Sequence, residues 1–318
     1  MRDPSSPSLH LGIDLGGTNL KWAVVERAGE DWRLIDQGSR PTPADEGPAA
    51  VVAALVDAAQ SAIGRQPTVA TIGVGVPGLY DPAAGTIRFL PNFPDDWSGV
   101  PVAAPIATAT GRPVALINDA RAFGLAELRL GAGRGARSMV GVTLGTGVGG
   151  VIAVHGRVHQ GHDGTAGELG HQTIERDGRP CTCGNRGCLE AYTNAEAIAR
   201  ACGTSSPEAA VSAARAGDER ALTGLAEIGS LLGIGIANMV TVITPDRVVI
   251  GGGTAAAGDL LLVPIRAEVV RRVRTTASDQ VAIVTAELGI WAGSMGAAVH
   301  GAEHAADAAD PASTVRPT

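Results

Sequence analysis

Two apolar runs in this chain break at a glycine-threonine cluster and then resume. Residues 9–14 end in Asp14, pass through Gly16-Gly17-Thr18-Asn19 and continue as Lys21-Trp-Ala-Val-Val. Residues 139–144 pass through Gly145-Thr146-Gly147-Val148-Gly149-Gly150 and continue over 151–154. Each reads as strand, glycine-rich hairpin, strand. One such turn is ordinary β-turn chemistry, because Gly, Thr and Asn all favour turns. Two copies, 129 positions apart from Gly16 to Gly145, argue for internal duplication of one structural unit. Adjacent glycines let backbone N–H groups approach a phosphate, and Thr18 and Asn19 add side-chain donors. Asp14 is of the right type to hold a Mg²⁺ ion or its waters. The pattern G-x-x-x-x-G-K-[ST] is absent, which excludes a P-loop enzyme.

At 318 residues the chain is long enough for two domains or one large one, with ample core. A net charge of −7 and no basic cluster argue against nucleic acid as a partner. The N-terminal residues lack an apolar signal segment, and no uninterrupted apolar run approaches the ~18 residues of a membrane span. Four cysteines, three of them in one short segment, fit a reducing compartment, with Cys202 an ordinary helix residue. The expectation is a soluble cytoplasmic protein with no membrane partner.

That segment contains Cys181, Cys183 and Cys188, with His171 ten positions upstream. Three thiolates and an imidazole are the ligands Zn²⁺ prefers, and four close a tetrahedral shell with no position for water. Zinc here reads as structural. Gly184 and Gly187 supply the sharp turns that let three sulfurs face one point. A disulfide is disfavoured, since the cysteines of C-x-C pair poorly and the compartment is reducing. Three inert reduced thiols are the bland alternative; Asp177, Arg179, Asn185 and Arg186 make the loop too polar for that. Closing the shell positions Glu168 and Glu190, one on each flank. Each alone is a surface acid, but paired they suit a polyhydroxylated ligand.

Elsewhere, residues 48–63 have helical periodicity, and residues 69–76 read as a buried strand. Gly73-x-Gly75-x-x-Gly78 matches the dinucleotide fingerprint in spelling, but Pro77 and the lack of a following helix mark it as a decoy. Residues 79–113, rich in proline and carrying Trp97, read as a loop or hinge that faces substrate. A strand at 114–117 leads to Asn118-Asp119 and a helix over 120–130. Asp119 at that junction is equally a helix cap or a general base at the carboxyl end of a strand. Ala-rich helices follow over 194–243. A strand at 247–250 then runs into Gly251, Gly252 and Gly253, which either lie flat against an adenosine or make a positive-φ turn. An amphipathic helix at 260–275, an edge strand at 281–285 and a small-residue helix at 292–306 complete the chain.

The two Gly-Thr clamps, Asn118-Asp119, Glu168-x-Gly-His171, Cys181-x-Cys183-Gly-x-x-Gly-Cys188-x-Glu190 and the terminal triple glycine occur in one order. That order resembles the ROK family of sugar kinases and sugar-sensing repressors over roughly residues 9–303, most of all its glucokinase-like members. The resemblance implies an α/β, actin-like ATPase fold of two ribonuclease-H-like domains with a zinc-stapled loop, sugar and ATP meeting between them. It implies phosphate contacts from Asp14, Gly16, Gly17, Thr18 and Asn19, then from Gly145, Thr146, Gly147 and Gly149, with Gly251, Gly252 and Gly253 near adenosine. Sugar contacts would come from Gly78, Asn118, Asp119, Glu168, His171 and Glu190, with Asp119 as the catalytic base. His171 would bind zinc by one ring nitrogen and a sugar hydroxyl by the other. Zn²⁺ is implied as structural, Mg²⁺ as arriving with ATP, and the assembly as a homodimer or homotetramer.

The expected division is a disordered 1–8, a smaller domain over 9–118 completed by the helix near 292–306, a larger zinc-bearing domain over 119–291, and a disordered tail over 307–318. Departures from the family pattern are Ile117, Arg121 and Trp291, where relatives have Glu, Asn or Ala, and a small acidic stretch. They leave the acceptor open: glucose at its 6-hydroxyl, or an N-acetylhexosamine, allose, fructose or a C7-cyclitol. Rival classes are a sugar-responsive repressor, for which no basic recognition helix is visible, a nicotinamide oxidoreductase reading the decoy, and a silent sugar-binding scaffold.

Overall fold

The computed structural model describes residues 6–91 and 93–309 and divides the chain into two compact units. The first runs to Leu130 and resumes at Ile290; the second is Gly131–Gly289. The expected break at 118 therefore shifts past one helix, which packs with the first unit. Of the expected disordered ends, residues 1–5 and 310–318 lie outside the described residues. Ser8 already belongs to a strand and residues 307–309 to the last helix.

In the first unit the strands are β1 (Ser8–Leu15), β2 (Asn19–Ala28) and β3 (Asp31–Pro41), followed by helix α1 (Pro48–Arg65) and β4 (Val69–Val76). A two-stranded ribbon, β5 (Leu79–Asp81) with β6 (Thr86–Phe89), precedes α2 (Ala103–Thr110), β7 (Val114–Asn118) and α3 (Asp119–Leu130). The second unit holds β8 (Ser138–Leu144), β9 (Val148–Val154) and β10 (Arg157–Val158), and four helices: α4 (Glu190–Thr193), α5 (Ala195–Cys202), α6 (Pro207–Arg215) and α7 (Glu219–Ile243). It closes with β11 (Arg247–Gly252), α8 (Asp259–Arg272) and β12 (Ala282–Thr285), after which α9 (Ala292–Ala309) returns to the first unit.

The strand orders are β3-β2-β1-β4-β7 and β10-β9-β8-β11-β12. In each sheet the first three strands pair antiparallel and the last two add in parallel. Both units thus repeat one topology around one glycine-rich hairpin, the duplication that the two sequence clusters predict.

Period-two alternation sorts the first sheet. Leu11, Ile13 and Leu15 are fully buried in a core with Leu55, Ala58 and Ala62 of α1. On the opposite face, Gly12 and Gly73 let α9 lie directly on the strands. A Cβ on Gly73 would sit 1.7 Å from the Ala297 carbonyl oxygen, and one on Gly12 1.8 Å from that of Ser294. Gly73 and Gly75 therefore sit inside β4 as packing residues, not in a nucleotide-binding turn.

The proline-rich segment departs from expectation. It folds into the ribbon and α2, and Trp97 is buried in the core with Ile87, Val102 and Ile106, its indole N–H bonded to the Pro94 carbonyl at 3.1 Å. In the second unit α7 is long and apolar enough to pass for a membrane span by length and composition. Its Gly229 and Gly233 pack against Leu261, Pro264, Ile265 and Glu268 of α8, and Leu225, Leu232, Ile236 and Val240 are buried. It serves as the central core helix of its unit.

Candidate functional site

In the first unit the parallel register aligns Asp14 with Gly75 and Gly75 with Ile117, and Val76 with Asn118. The carboxyl ends of β1, β4 and β7 thereby bring Asp14, Gly78, Asn118 and Asp119 to one edge, where open α/β sheets bind ligands. Gly78, at φ +87°, accepts a hydrogen bond on its carbonyl from Asn118 Nδ2 at 3.3 Å. Asn118 Oδ1 accepts the amides of Ala120 and Arg121 at 3.1 and 3.3 Å. The helix cap is therefore Asn118, and Asp119 is the first residue of α3, with Oδ1 accepting the Ala120 amide at 2.8 Å. Capping does not account for Asp119.

Burial, and secondarily the charge of Asp119, push the Asp14 carboxyl up to about 6, with Lys21 opposing. The two acids stand at the same end of the sheet, on β1 and just after β7, with β4 between them. The first turn of α9 completes that end: a Cβ on Gly293 would lie 2.7 Å from Asp14 Cγ. Sequence reasoning missed this contact, although the small residues of 292–306 were its signal. It also missed Thr42, whose hydroxyl donates to the Gly16 carbonyl at 2.7 Å and whose amide donates to that of Thr18 at 2.9 Å. With the Gly16 amide closed onto the Asn19 carbonyl at 3.2 Å, Gly17, Thr18 and Asn19 are left exposed at the hairpin tip.

In the second unit the β8–β9 hairpin is closed by Gly145 N–H to the Gly147 carbonyl at 2.9 Å, with Gly145 and Thr146 exposed. Beside it runs β11, pairing Gly251 with Thr143 and Gly252 with Leu144. Gly252 has φ +86°, and a Cβ there would meet the Leu144 carbonyl oxygen at 2.0 Å, so no other residue fits. Gly251, Gly252 and Gly253 thus adjoin the strand that leads into Gly145, Thr146, Gly147 and Gly149.

The cysteine loop folds onto the same edge. Gly184 and Gly187 take φ of 91° and 74°, and the Cys181 amide donates to the Asn185 carbonyl at 2.8 Å. The ligand atoms of His171, Cys181, Cys183 and Cys188 all lie within 4.8 Å of one another. His171 Nδ1 is 3.7 Å from Cys181 Sγ, and Cys183 Sγ is 3.7 Å from Cys188 Sγ. A tetrahedron with Zn–S of about 2.3 Å and Zn–N of about 2.0–2.1 Å has edges close to these lengths. The donor set fits a structural Zn²⁺, and Nδ1 is the ring nitrogen on the sulfur side. Burial and the neighbouring thiols push the Cys188 thiol up to about 12, a tendency that a divalent cation reverses.

Glu168 immediately precedes the short turn Leu169–His171, and that turn lies on β9: a Cβ on Gly170 would sit 2.1 Å from the Val148 carbonyl oxygen. Glu190 opens α4 two residues after Cys188. Its Oε2 accepts the Val148 amide at 2.8 Å, while Oε1 lies 3.9 Å from Cys181 Sγ and 3.5 Å from Thr182 Oγ1. Within this unit the turn that holds His171 and the carboxylate of Glu190 both lie against the second hairpin, and Glu168 immediately precedes that turn.

Residues 10–302 match the family model described as "ROK family". The chain is 36% identical over 312 residues to a glucokinase of Thermotoga maritima, covering 92% of this chain and 97% of that one. It is similar to the crystal structure of a ROK family glucokinase from Streptomyces griseus in complex with glucose and AMPPNP, with a TM-score of 0.79 and 30% identity, over 93% of this chain and all of that one. A ROK hexokinase from Thermus thermophilus aligns with a TM-score of 0.80 and 34% identity, over 94% and 99% of the two chains. With its duplicated actin-like fold, paired glycine-rich hairpins and His-Cys cluster, this chain belongs to the ROK family.

Proposed function

We propose that this ATP-dependent sugar kinase transfers the terminal phosphoryl group of ATP to the 6-hydroxyl of glucose, with Asp119 as general base. The observation that carries the reading is the pair of neighbouring acids, Asp14 and Asp119, at the carboxyl ends of β1 and β7 beside an exposed Gly-Thr hairpin tip. Phosphoryl transfer depends on positioning and on neutralising charge more than on covalent help from the protein. Gly16, Gly17, Thr18 and Asn19, then Gly145, Thr146, Gly147 and Gly149, are assigned to the phosphates, and Gly251, Gly252 and Gly253 to adenosine.

Asp119 accepts the proton of the attacking hydroxyl as the O6–P bond forms and the bridging P–O bond to ADP breaks. Its own backbone N–H neighbour, Ala120, holds Oδ1 and so orients the carboxylate. Asp14, raised by burial and by Asp119, is suited to the Mg²⁺ that ATP brings, whose charge favours the ionised form. Gly78 and Asn118 are linked to each other and are assigned with Asp119 to the sugar, as are Glu168, His171 and Glu190. Held by His171, Cys181, Cys183 and Cys188, zinc would anchor the loop and would take no part in the transfer. With Nδ1 on the ligand side, Nε2 of His171 is the nitrogen assigned to a sugar hydroxyl.

A coupled ADP-release assay over glucose, mannose, N-acetylated hexosamines, allose, fructose and a C7-cyclitol tests the reading. Glucose is expected to give the highest kcat/KM. A higher value for another member of the panel would reassign the acceptor, and no sugar-dependent release from any would end the kinase reading.

A further inference from the structure

We infer that Glu190 is a positioning residue that braces the second glycine-rich hairpin against the metal loop, so that nucleotide affinity, as well as sugar affinity, depends on that loop. The inference rests on the reading of this hairpin as a phosphate clamp.

Val148 is the first residue after the hairpin turn and is buried. A buried backbone amide must find a partner, and this one donates to Glu190 Oε2 at 2.8 Å, a carboxylate 42 residues away. The carboxylate packs where Gly147 has no side chain: a Cβ there would lie 2.5 Å from Oε2. The other face of the same residue is also taken, since Gly170 abuts the Val148 carbonyl oxygen. Gly170 immediately precedes His171, and Glu190 follows Cys188 by two residues. Both arms of the metal loop therefore press on one residue, Val148, at the root of the hairpin, one on its amide and one on its carbonyl. A third tie, from the Ala195 amide to the Gly145 carbonyl at 3.0 Å, holds the opposite side of the turn just after α4.

Glu190 is thus divided between two tasks. Oε2 is committed to the backbone of the clamp, and only Oε1, near Cys181 Sγ and Thr182 Oγ1, is left for a sugar hydroxyl. A residue that served the sugar alone would not need its carboxylate seated on Gly147.

Calorimetry of AMPPNP binding with Mg²⁺ and no sugar, on zinc-loaded protein, tests this with amide hydrogen exchange over the hairpin. Glu190→Ala is expected to weaken AMPPNP by about 10–100-fold, the range for loss of a partner that orients a site, and to speed exchange around Val148 with zinc content unchanged. Glu190→Gln is expected to keep both near wild type, because the amide oxygen of Gln accepts the same N–H, while glucose affinity falls. An Ala variant with wild-type AMPPNP affinity and wild-type exchange would overturn the inference and leave Glu190 a sugar contact only. Absence of AMPPNP binding by the wild type would overturn the clamp reading and the nucleotide part of the inference, while the exchange data would still decide whether Glu190 braces the hairpin.

Discussion

In the first unit the glycine-rich hairpin is held by its own sheet: Thr42, directly after β3, bonds to the Gly16 and Thr18 carbonyls. In the second unit the hairpin has the same strand order around it, yet its brace comes from the segment between β10 and α5, through Gly170 and Glu190. The acids differ too. The first unit places Asp14 beneath its hairpin, one residue before the end of β1; the second has Thr143 at the equivalent position of β8 and brings its carboxylate in from outside. Duplication accounts for the frame, and the inserted loop accounts for the difference. The first hairpin is expected to stand without metal, and the second is not.

Loss of the metal should therefore produce the largest asymmetry. Cys183→Ala, checked by metal analysis, is expected to lower glucose affinity by more than about 100-fold, beyond the 10–100-fold cost of losing an outer-shell partner. Exchange should rise over residues 145–150 and stay unchanged over residues 16–19. Equal loosening of both hairpins would erase the distinction.

A sharper comparison sets a packing glycine against a tip glycine. Gly73→Ala forces a methyl into the backbone of α9 and should cost at least about 1–3 kcal/mol of stability in urea or thermal unfolding. Gly145→Ala meets nothing within 4 Å and should change stability by less than about 0.5 kcal/mol while weakening nucleotide binding. Similar stability losses would mean that the two glycines have the same role.

The smallest effect expected is on pH. Burial holds His10 and His300, both in the first unit, near about 4, with Arg27 and His304 adding to the respective shifts. Their folded values lie below the unfolded 6.5, so the unfolded chain takes up protons that the folded one refuses as pH falls from 6.5 toward 4. Stability should decline over that window. Asp14 acts in the opposite sense, being raised from 3.8 to about 6, and offsets part of the loss. His300→Gln should flatten the decline of Tm between pH 7 and pH 5; parallel curves for variant and wild type would remove His300 as its cause.

Much of this frame can be read in the chain because its strands are nearly continuous apolar runs. Residues 69–76, 114–117 and 281–285 say strand through β-branched content and bounding turns, with no need for partners. The His-Cys cluster is legible for a related reason, since three of its four members sit within eight residues and local geometry confines them. What local pattern leaves out is tertiary. Asn118 and Asp119 are equally good caps on paper, and only the placement of Oδ1 of Asn118 over two amides separates them. Trp97 reads among its prolines as part of a substrate-facing loop or hinge, but Phe93 and the core around Ile106 enclose it. The domain boundary moved because α3 presents Ala122 to Gly296 of a helix more than 160 positions later in the chain. The tie from Glu190 to Val148 leaves no trace in any window of sequence, because its donor is a backbone amide that every residue but proline carries.

The assignment of Asp119 is tested most directly by steady-state glucose phosphorylation by Asp119→Asn, with glucose affinity measured on the same preparation. Its kcat is expected to fall by about 10²–10⁴-fold, the usual contribution of a general base, with glucose still bound. A kcat near that of the wild type would contradict the assignment.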